Sequence, residues 1–500
     1  MKRGAPAAVL DDTTALFGAH VDVAVRIGWT ARMVRLAAPG GAPSMQSVAT
    51  EIGTSPTTLH RLELGQLRHG ALLDRIEPAL GLVPGSLRAP VDVTCRTFPG
   101  VSPADQDASP GWRTVREVSE ATEQLLGGES TGGLWLAWAR ALAQPGAVGL
   151  PESLARELVS RLVGELARAV GAAYPARYEA LALLRGSGYG HVVLEVAREI
   201  VADPEVQVLN DLMSAVGEAV DAEAVEWCTE LLADPRDHVV VGGALALENM
   251  AQIAPDAGVW RTVAPPLVEQ LNASPDGSAR HEWLSHLVRL MPAPAREKVR
   301  RGVQRPLAPV PRVSHPTKSR VNAEWNDAQE RARAVTGPLG LPDQPVLARL
   351  LFDIAHSPLE SRAVTSYMLL GAIPSLGTPA VAQLAALVDA HADQLVRRRV
   401  ARRLAGSRLP APARAAGRWL EGATDERLQA GLLLAGTTGE PVERRVLDAA
   451  WKAADGTAQA ALFALGMAGD PVLHDLALDT AHPAGPGARW WLRQGARIAH

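Results

Sequence analysis

From Trp112 to His500 the chain repeats one pattern: apolar segments at helical spacing, roughly 10–18 residues long, each broken by Pro or Gly. No stretch of any length shows strand-like alternation. A weak internal repeat of roughly 30–35 residues runs through the pattern. VADPEVQVLNDLMSAVGEAV, from Val201, is followed 31 positions later by LADPRDHVVVGGALALENMA, from Leu232. Asp203 and Asp234 read as helix caps, with Pro204 and Pro235 at the first helical position. Later units are expected near Pro358, Asp393, Asp425, Asp455 and Pro486. Gly439-Glu440-Pro441 and Gly469-Asp470-Pro471 are 30 positions apart. Ala430, Gly431, Ala460 and Ala461 are small enough to let neighbouring helices stack closely. One helical pair of this kind cannot bury its apolar face alone, but stacked pairs can, which predicts an α-solenoid with a curved surface.

The other bounds agree with a helical, multi-unit protein. A chain of 500 residues exceeds one compact core, so two to four domains or an elongated repeat is expected. Net charge is −4, which excludes a generic polyanion binder. Cys95 and Cys228 are the only cysteines, too few and too far apart for a disulfide framework, and a reduced cytoplasm is the natural reading. Met1 to Val21 carries Asp11 and Asp12 where a signal peptide needs an apolar run. No segment reaches the ~18 apolar residues of a membrane span.

One stretch suggests a task as well as a fold: Ser44 to Leu87. A helix is expected over Met45 to Ile52, capped by Ser44, with Gly53 ending it where φ > 0 is needed. A second is expected from Ser55, a capping hydroxyl, with Pro56 at the first helical position. Val48, Ala49, Ile52, Leu59 and Leu62 have the spacing of one buried seam. That leaves Pro56, Thr57, His60 and Arg61 facing outward. A helix presented this way fits the DNA major groove: Arg can pair with guanine, Thr methyls meet thymine methyls, and amides at the helix starts bind phosphate. The candidate DNA-contacting residues are Ser44, Met45, Ser55, Pro56, Thr57, Thr58, His60 and Arg61. For Arg61 a solvated surface charge is an equal reading, and Thr57 and Thr58 are also ordinary helix-start residues.

The order Val48-Ala49, Gly53, Thr54-Ser55, Leu59, Leu62-Glu63, Gly65, then Ile76, Ala79-Leu80-Gly81 and Leu87 resembles the phage-repressor helix-turn-helix family (Cro/C1, or XRE). The resemblance covers about 70 residues, from Leu16 to Leu87. It implies a five-helix DNA-binding domain that works as a dimer on a palindromic operator. Met45 stands where the family has Gln, Leu64 replaces a polar residue, and the loop 38–43 is longer and richer in Pro. A first helix is expected over Phe17 to Ala37, with Arg26, Arg32 and Arg35 on its polar side as phosphate contacts or solvated charges. Residues 1–90 carry nine Lys/Arg against seven Asp/Glu, a balance of +2.

The fold expected is all-α: an N-terminal five-helix helix-turn-helix domain over 1–89, a linker over 90–112 rich in Pro, Asp and Ser, then an α-solenoid that resembles HEAT-like helical repeats. The repeats divide into halves, 113–291 and 322–500, around a basic Pro-rich loop at 292–321. That loop is either an exposed connection or a second polyanion contact.

No enzyme signature stands out: no phosphate loop, no GxGxxG after a strand, no HExxH and no paired CxxC. His20, His60, His69 and His391 lack ligand-spaced neighbours, and no cofactor is expected. Trp135 with Trp138, and Trp490 with Trp491, read as core or as the wall of an aromatic pocket. Arg397, Arg398, Arg399, Arg402 and Arg403 crowd one helix, either as a solvated face paired to acids such as Asp389 or Asp393, or as a site for an anion. The first functional reading is a cytoplasmic transcriptional regulator, not an enzyme. Its partners would be double-stranded DNA, a peptide, small-molecule or protein effector on the repeats, and a second copy in a homodimer, with no membrane. The alternative is a helical-repeat scaffold for protein–protein interaction with a degenerate helix-turn-helix domain.

Overall fold

The computed structural model describes residues 9–105, 115–128, 130–144, 149–254, 258–308, 317–411, 415–421, 425–453 and 456–500. Among these residues the chain forms 27 α-helices and no strand, with only two isolated bridges, Arg68 to Asp105 and Ala169 to Ile498. The protein is all-α. None of the described helices is long and apolar enough to cross a membrane.

The first five helices are α1 (Val23–Leu36), α2 (Met45–Glu51), α3 (Pro56–Glu63), α4 (Gly70–Ala79) and α5 (Arg88–Thr97). Helix α1 starts later than expected because the Asp22 carboxylate caps it, accepting the Val25 N–H at 3.0 Å. The residues ahead of it are held by the body of the protein. Arg362 donates to the carbonyls of Ala15, Gly18 and His20, and Arg349 to that of Thr14.

Arg26, expected on the polar side of the first helix, is fully buried. It pairs with Asp12 at 2.7 Å and with Asp353 at 2.6 Å. Asp353 also takes Arg362 at 2.8 Å, so alternating charges join the N-terminal segment and α1 to the helices Pro345–His356 and Glu360–Gly371. Each charge is compensated, as burial demands. Trp29, also buried, donates its indole N–H to Gln344 at 2.9 Å.

The expected linker does not begin at Pro90. Residues 90–97 lie in α5, which packs against the helices Ala173–Arg185 and Glu360–Gly371. Every residue from Arg88 to Cys95 is buried. Its buried positions include Pro90 and the charged pair Arg88–Asp92, 2.6 Å apart, so its sequence reads as polar and broken although the helix is covered. Residues 106–112 of the expected linker lie outside the described residues. The basic segment is likewise helical at its start, with Ala293–Gly302 forming a helix and the next beginning at Lys318.

The Asp-Pro repeats mark turns, not helix starts. Asp203 accepts the Glu205 N–H and Asp234 the Arg236 N–H, both at 2.8 Å, and the helices that follow begin at Asn210 and Asp237. A carboxylate that bonds two residues ahead forms a local turn in place of the cap. Asp393 does cap a helix, Gln394–Gly406, by accepting the Leu395 N–H. Both tryptophan pairs are core: Trp135 and Trp138 are buried edge to face, as are Trp490 and Trp491.

The two halves of the body meet directly. Arg408 donates to the carbonyls of Leu166, Ala167 and Ala169 at the end of the helix Glu152–Arg168, a favourable place for a cation. It also bonds Asp211 and lies 4.9 Å from the Tyr174 ring centre. Near the C-terminus, Ile498 exchanges backbone hydrogen bonds with Arg168 and Val170, while Arg493 bonds Asp203 and Glu205. In an open solenoid each unit meets only its neighbours, and these contacts depart from that.

Candidate nucleic-acid interface

Helices α2 and α3 owe their positions to caps read directly from the sequence. The Ser44 hydroxyl accepts the Ser47 N–H at 3.0 Å, starting α2. At its end Gly53 adopts φ +65° and the Thr54 N–H returns to the Ala49 carbonyl at 2.8 Å. The Ser55 hydroxyl accepts the Thr58 N–H at 3.0 Å, and Pro56 occupies the first position of α3. Helix α3 closes with Gly65 at φ +70° and the Gln66 N–H on the Arg61 carbonyl at 2.9 Å. Val48, Ala49, Ile52, Leu59 and Leu62 are all buried, forming the expected seam.

Thr57, His60 and Arg61 are exposed on one face of α3, spaced by three and four. Pro56 and Thr58 are half-buried, and Ser44 and Ser55 are exposed. Met45 is half-buried and packs against the core, while its neighbour Gln46 is exposed. Among the described residues, none from the large body covers Thr57, His60 or Arg61. The body instead holds α1, behind α3.

Charge at this face is thinner than the sequence count suggests. Of the nine cations in residues 1–90, Lys2 and Arg3 lie outside the described residues. Arg26, Arg35, Arg68 and Arg88 are spent in internal ion pairs. Arg35 grips Glu63 with two bonds, of 2.6 and 2.7 Å, and so braces α1 against the end of α3. Burial alone would lower the Arg88 guanidinium, but the carboxylates of Asp92, Asp74 and Asp105 raise it above its ordinary range. Among the described cations of residues 1–90, only Arg61 and Arg75 are exposed, with Arg32 half-buried and Glu51 exposed nearby in the chain. Sequence counting missed this because it cannot tell a paired arginine from a free one.

A second feature lies where the halves of the body meet. A cavity of about 720 Å³ is lined by α5 through Val93, Arg96 and Thr97, by Glu248, Glu282, Trp283, His286 and Arg289 from the first half, and by Glu360, Arg398, Arg399 and Arg402 from the second. Among the described residues, the acid that this arginine row is seen to engage is Glu360 rather than Asp389 or Asp393. Asp393 pairs with Arg320 at 2.6 Å, and Arg403 and Arg402 share Glu360 at 2.9 and 3.3 Å. On the opposite wall Glu248 bonds His286 at 3.2 Å and Gln252 at 3.1 Å. Among the described residues, no group of three or more His, Cys, Asp or Glu is placed to hold a metal ion.

No protein-family model matches the chain, and no curated protein matches it in sequence.

Proposed function

We propose that the chain is a sequence-specific, DNA-binding transcriptional regulator. In this reading α1–α5 form a helix-turn-helix module of the phage-repressor kind. The remaining helices form a body of HEAT-like helical-repeat pairs that receives a modulating ligand, peptide or protein. The observation that carries the reading is the short, doubly capped α3, with Thr57, His60 and Arg61 open to solvent and its back clamped by Arg35 and Glu63. A helix so mounted enters a major groove leading end first. Arg61 would address a guanine edge and Thr57 a thymine methyl, while Ser44, Met45, Ser55, Pro56, Thr58 and His60 set the approach to the backbone.

In a homodimer two such helices must lie ~34 Å apart to read successive major-groove turns. The buried charges at Arg26 and Asp353 fix α1 to the body, so any change in the body's geometry would reset that spacing. The compartment we assign is the cytoplasm, where Cys95 and Cys228 stay reduced. Both are buried and unbridged, and burial pushes their thiols up to about 11 and 12. A mobility-shift assay at low salt with duplex fragments tests the reading. Binding that weakens in Arg61→Ala and Thr57→Ala supports it, and no binding by the wild-type chain rejects it.

A second reading, a helical-repeat scaffold for protein–protein interaction, is favoured by one observation. Four of the arginines in residues 1–90 are consumed inside the fold, leaving few for phosphate. Under that reading the α3 face is a relic and the same assay shows no shift.

A further inference from the structure

The second half of the body sets four arginines, Arg398, Arg399, Arg402 and Arg403, on one helix beside the central cavity. Among the described residues lining that wall, Glu360 is the one carboxylate, and Arg403 and Arg402 both hold it. Arg399 is half-buried and donates to the His356 carbonyl at 3.2 Å. No carboxylate among the described residues lies within 4.0 Å of Arg399. Arg289, across the cavity, is in the same state: half-buried, donating to the Ala308 carbonyl, with no carboxylate within 4.0 Å. Burial lowers both guanidinium groups, and at Arg399 the nearby Arg403 adds to it. Two partly desolvated cations in one cavity, neither in contact with a carboxylate among the described residues, are an unfavourable arrangement that an anion would relieve.

The rest of the lining restricts what that anion can be. Trp283, Leu245, Val364 and Leu395 supply apolar and aromatic surface, enough to bury a drug-sized molecule in about 720 Å³. Glu248 and Glu282 sit on the first-half wall and would repel a second negative charge. We infer that this cavity binds a small ligand with one anionic group, a carboxylate or a phosphate ester, held by Arg399, Arg402 and Arg289, and with an apolar body lying against Trp283. Such a ligand bridges the two halves. In the regulator reading, on which this role rests, it is the modulating ligand, but its binding does not require that the chain bind DNA.

The test uses the full chain and three probes: 4-phenylbutyrate, phenyl phosphate and the neutral 4-phenylbutan-1-ol. Calorimetry and thermal melting are read together. The expected result is saturable binding of at least one anionic probe, at least tenfold tighter than the neutral alcohol. Preference between the two acids tells a carboxylate ligand from a phosphate one. Arg399→Met and Arg289→Met are each expected to weaken anion binding at least tenfold while leaving the alcohol unchanged. Arg402→Ala, at an exposed position, gives the same direction if either of those variants fails to fold. Failure of both acids to bind, or equal binding by wild type and Arg402→Ala, overturns the inference. Anion binding without any DNA shift would leave the site standing and remove only the regulator reading.

Discussion

Gly28 of α1 and Gly65, just past α3, meet backbone against backbone. A Cβ placed on Gly28 would sit 2.7 Å from the Gly65 Cα and 2.8 Å from the Leu64 carbonyl carbon. A Cβ on Gly65 would in turn strike the Ala24 carbonyl, and Gly65 also needs φ +70°. This contact lets α1 lie close behind α3 and hold it at a fixed angle. Gly65→Ala should therefore destabilise the chain by roughly 3 kcal/mol, combining overpacking with left-handed strain. Gly81→Ala is the control, because Gly81 has φ +66° but open space around its Cα, and should cost only about 1 kcal/mol. Chemical denaturation compares the two, and equal losses would contradict the packing account.

Arg35 and Glu63 give a second handle on the same joint. Both are nearly buried, so removing one leaves the other charged and uncompensated. Arg35→Met should cost about 3–5 kcal/mol, and the double change Arg35→Met with Glu63→Leu should recover much of it. A double-mutant cycle by urea unfolding checks this. A double variant as unstable as the sum of the singles would mean that the two side chains do not act as a pair.

His356 carries a pH dependence. It is buried, and desolvation, with His391 and Arg399 beside it, pushes its imidazole down to about 3. Glu324 lies 3.7 Å away, but its carboxylate is engaged by Arg320 at 2.8 Å. An unfolded histidine titrates near 6.5, so below that the unfolded chain binds a proton that the folded chain refuses. Stability from this group is complete above about pH 6.5 and falls with decreasing pH by up to ~1.4 kcal/mol per unit. Unfolding curves between about pH 7.5 and 5 should be flatter for His356→Gln than for wild type. Parallel curves would assign the effect elsewhere.

The scarcity of exposed cations has its own consequence. If Arg61 of each copy reads a base and Arg75 of each copy rests on phosphate, a dimer releases about two counter-ions, giving a slope of log K against log salt near −2. Titrations from about 50 to 200 mM salt measure it. A slope near −10 would place the protein's contact surface somewhere other than α3.

Much of this was legible in the residues. Ser44, Gly53, Ser55 and Pro56 mark the bounds of α2 and α3 because caps and turns act locally. The seam from Val48 to Leu62 followed from spacing. What failed was non-local. Arg26 and Arg35 look like surface charges until Asp353, more than three hundred positions away, and Glu63 are brought against them. Helix α5 is hidden in the sequence because Pro90 and the charges of Arg88 and Asp92 look like a linker until their pairing inside the fold is seen. Asp203 and Asp234 look like caps in the sequence but form turns, since the same carboxylate chemistry serves both. The cavity was foreshadowed only by the crowding of Arg397 to Arg403. Its other wall comes from residues more than a hundred positions away in the chain.

The most direct test of the central claim is selection of duplexes by the full-length protein from a randomised pool. The account predicts enrichment of a palindromic sequence with half-sites about 10 base pairs apart, lost when Arg61 and Thr57 are both changed to Ala. No enrichment by the wild-type protein, or the same sequence recovered by the double variant, would contradict it.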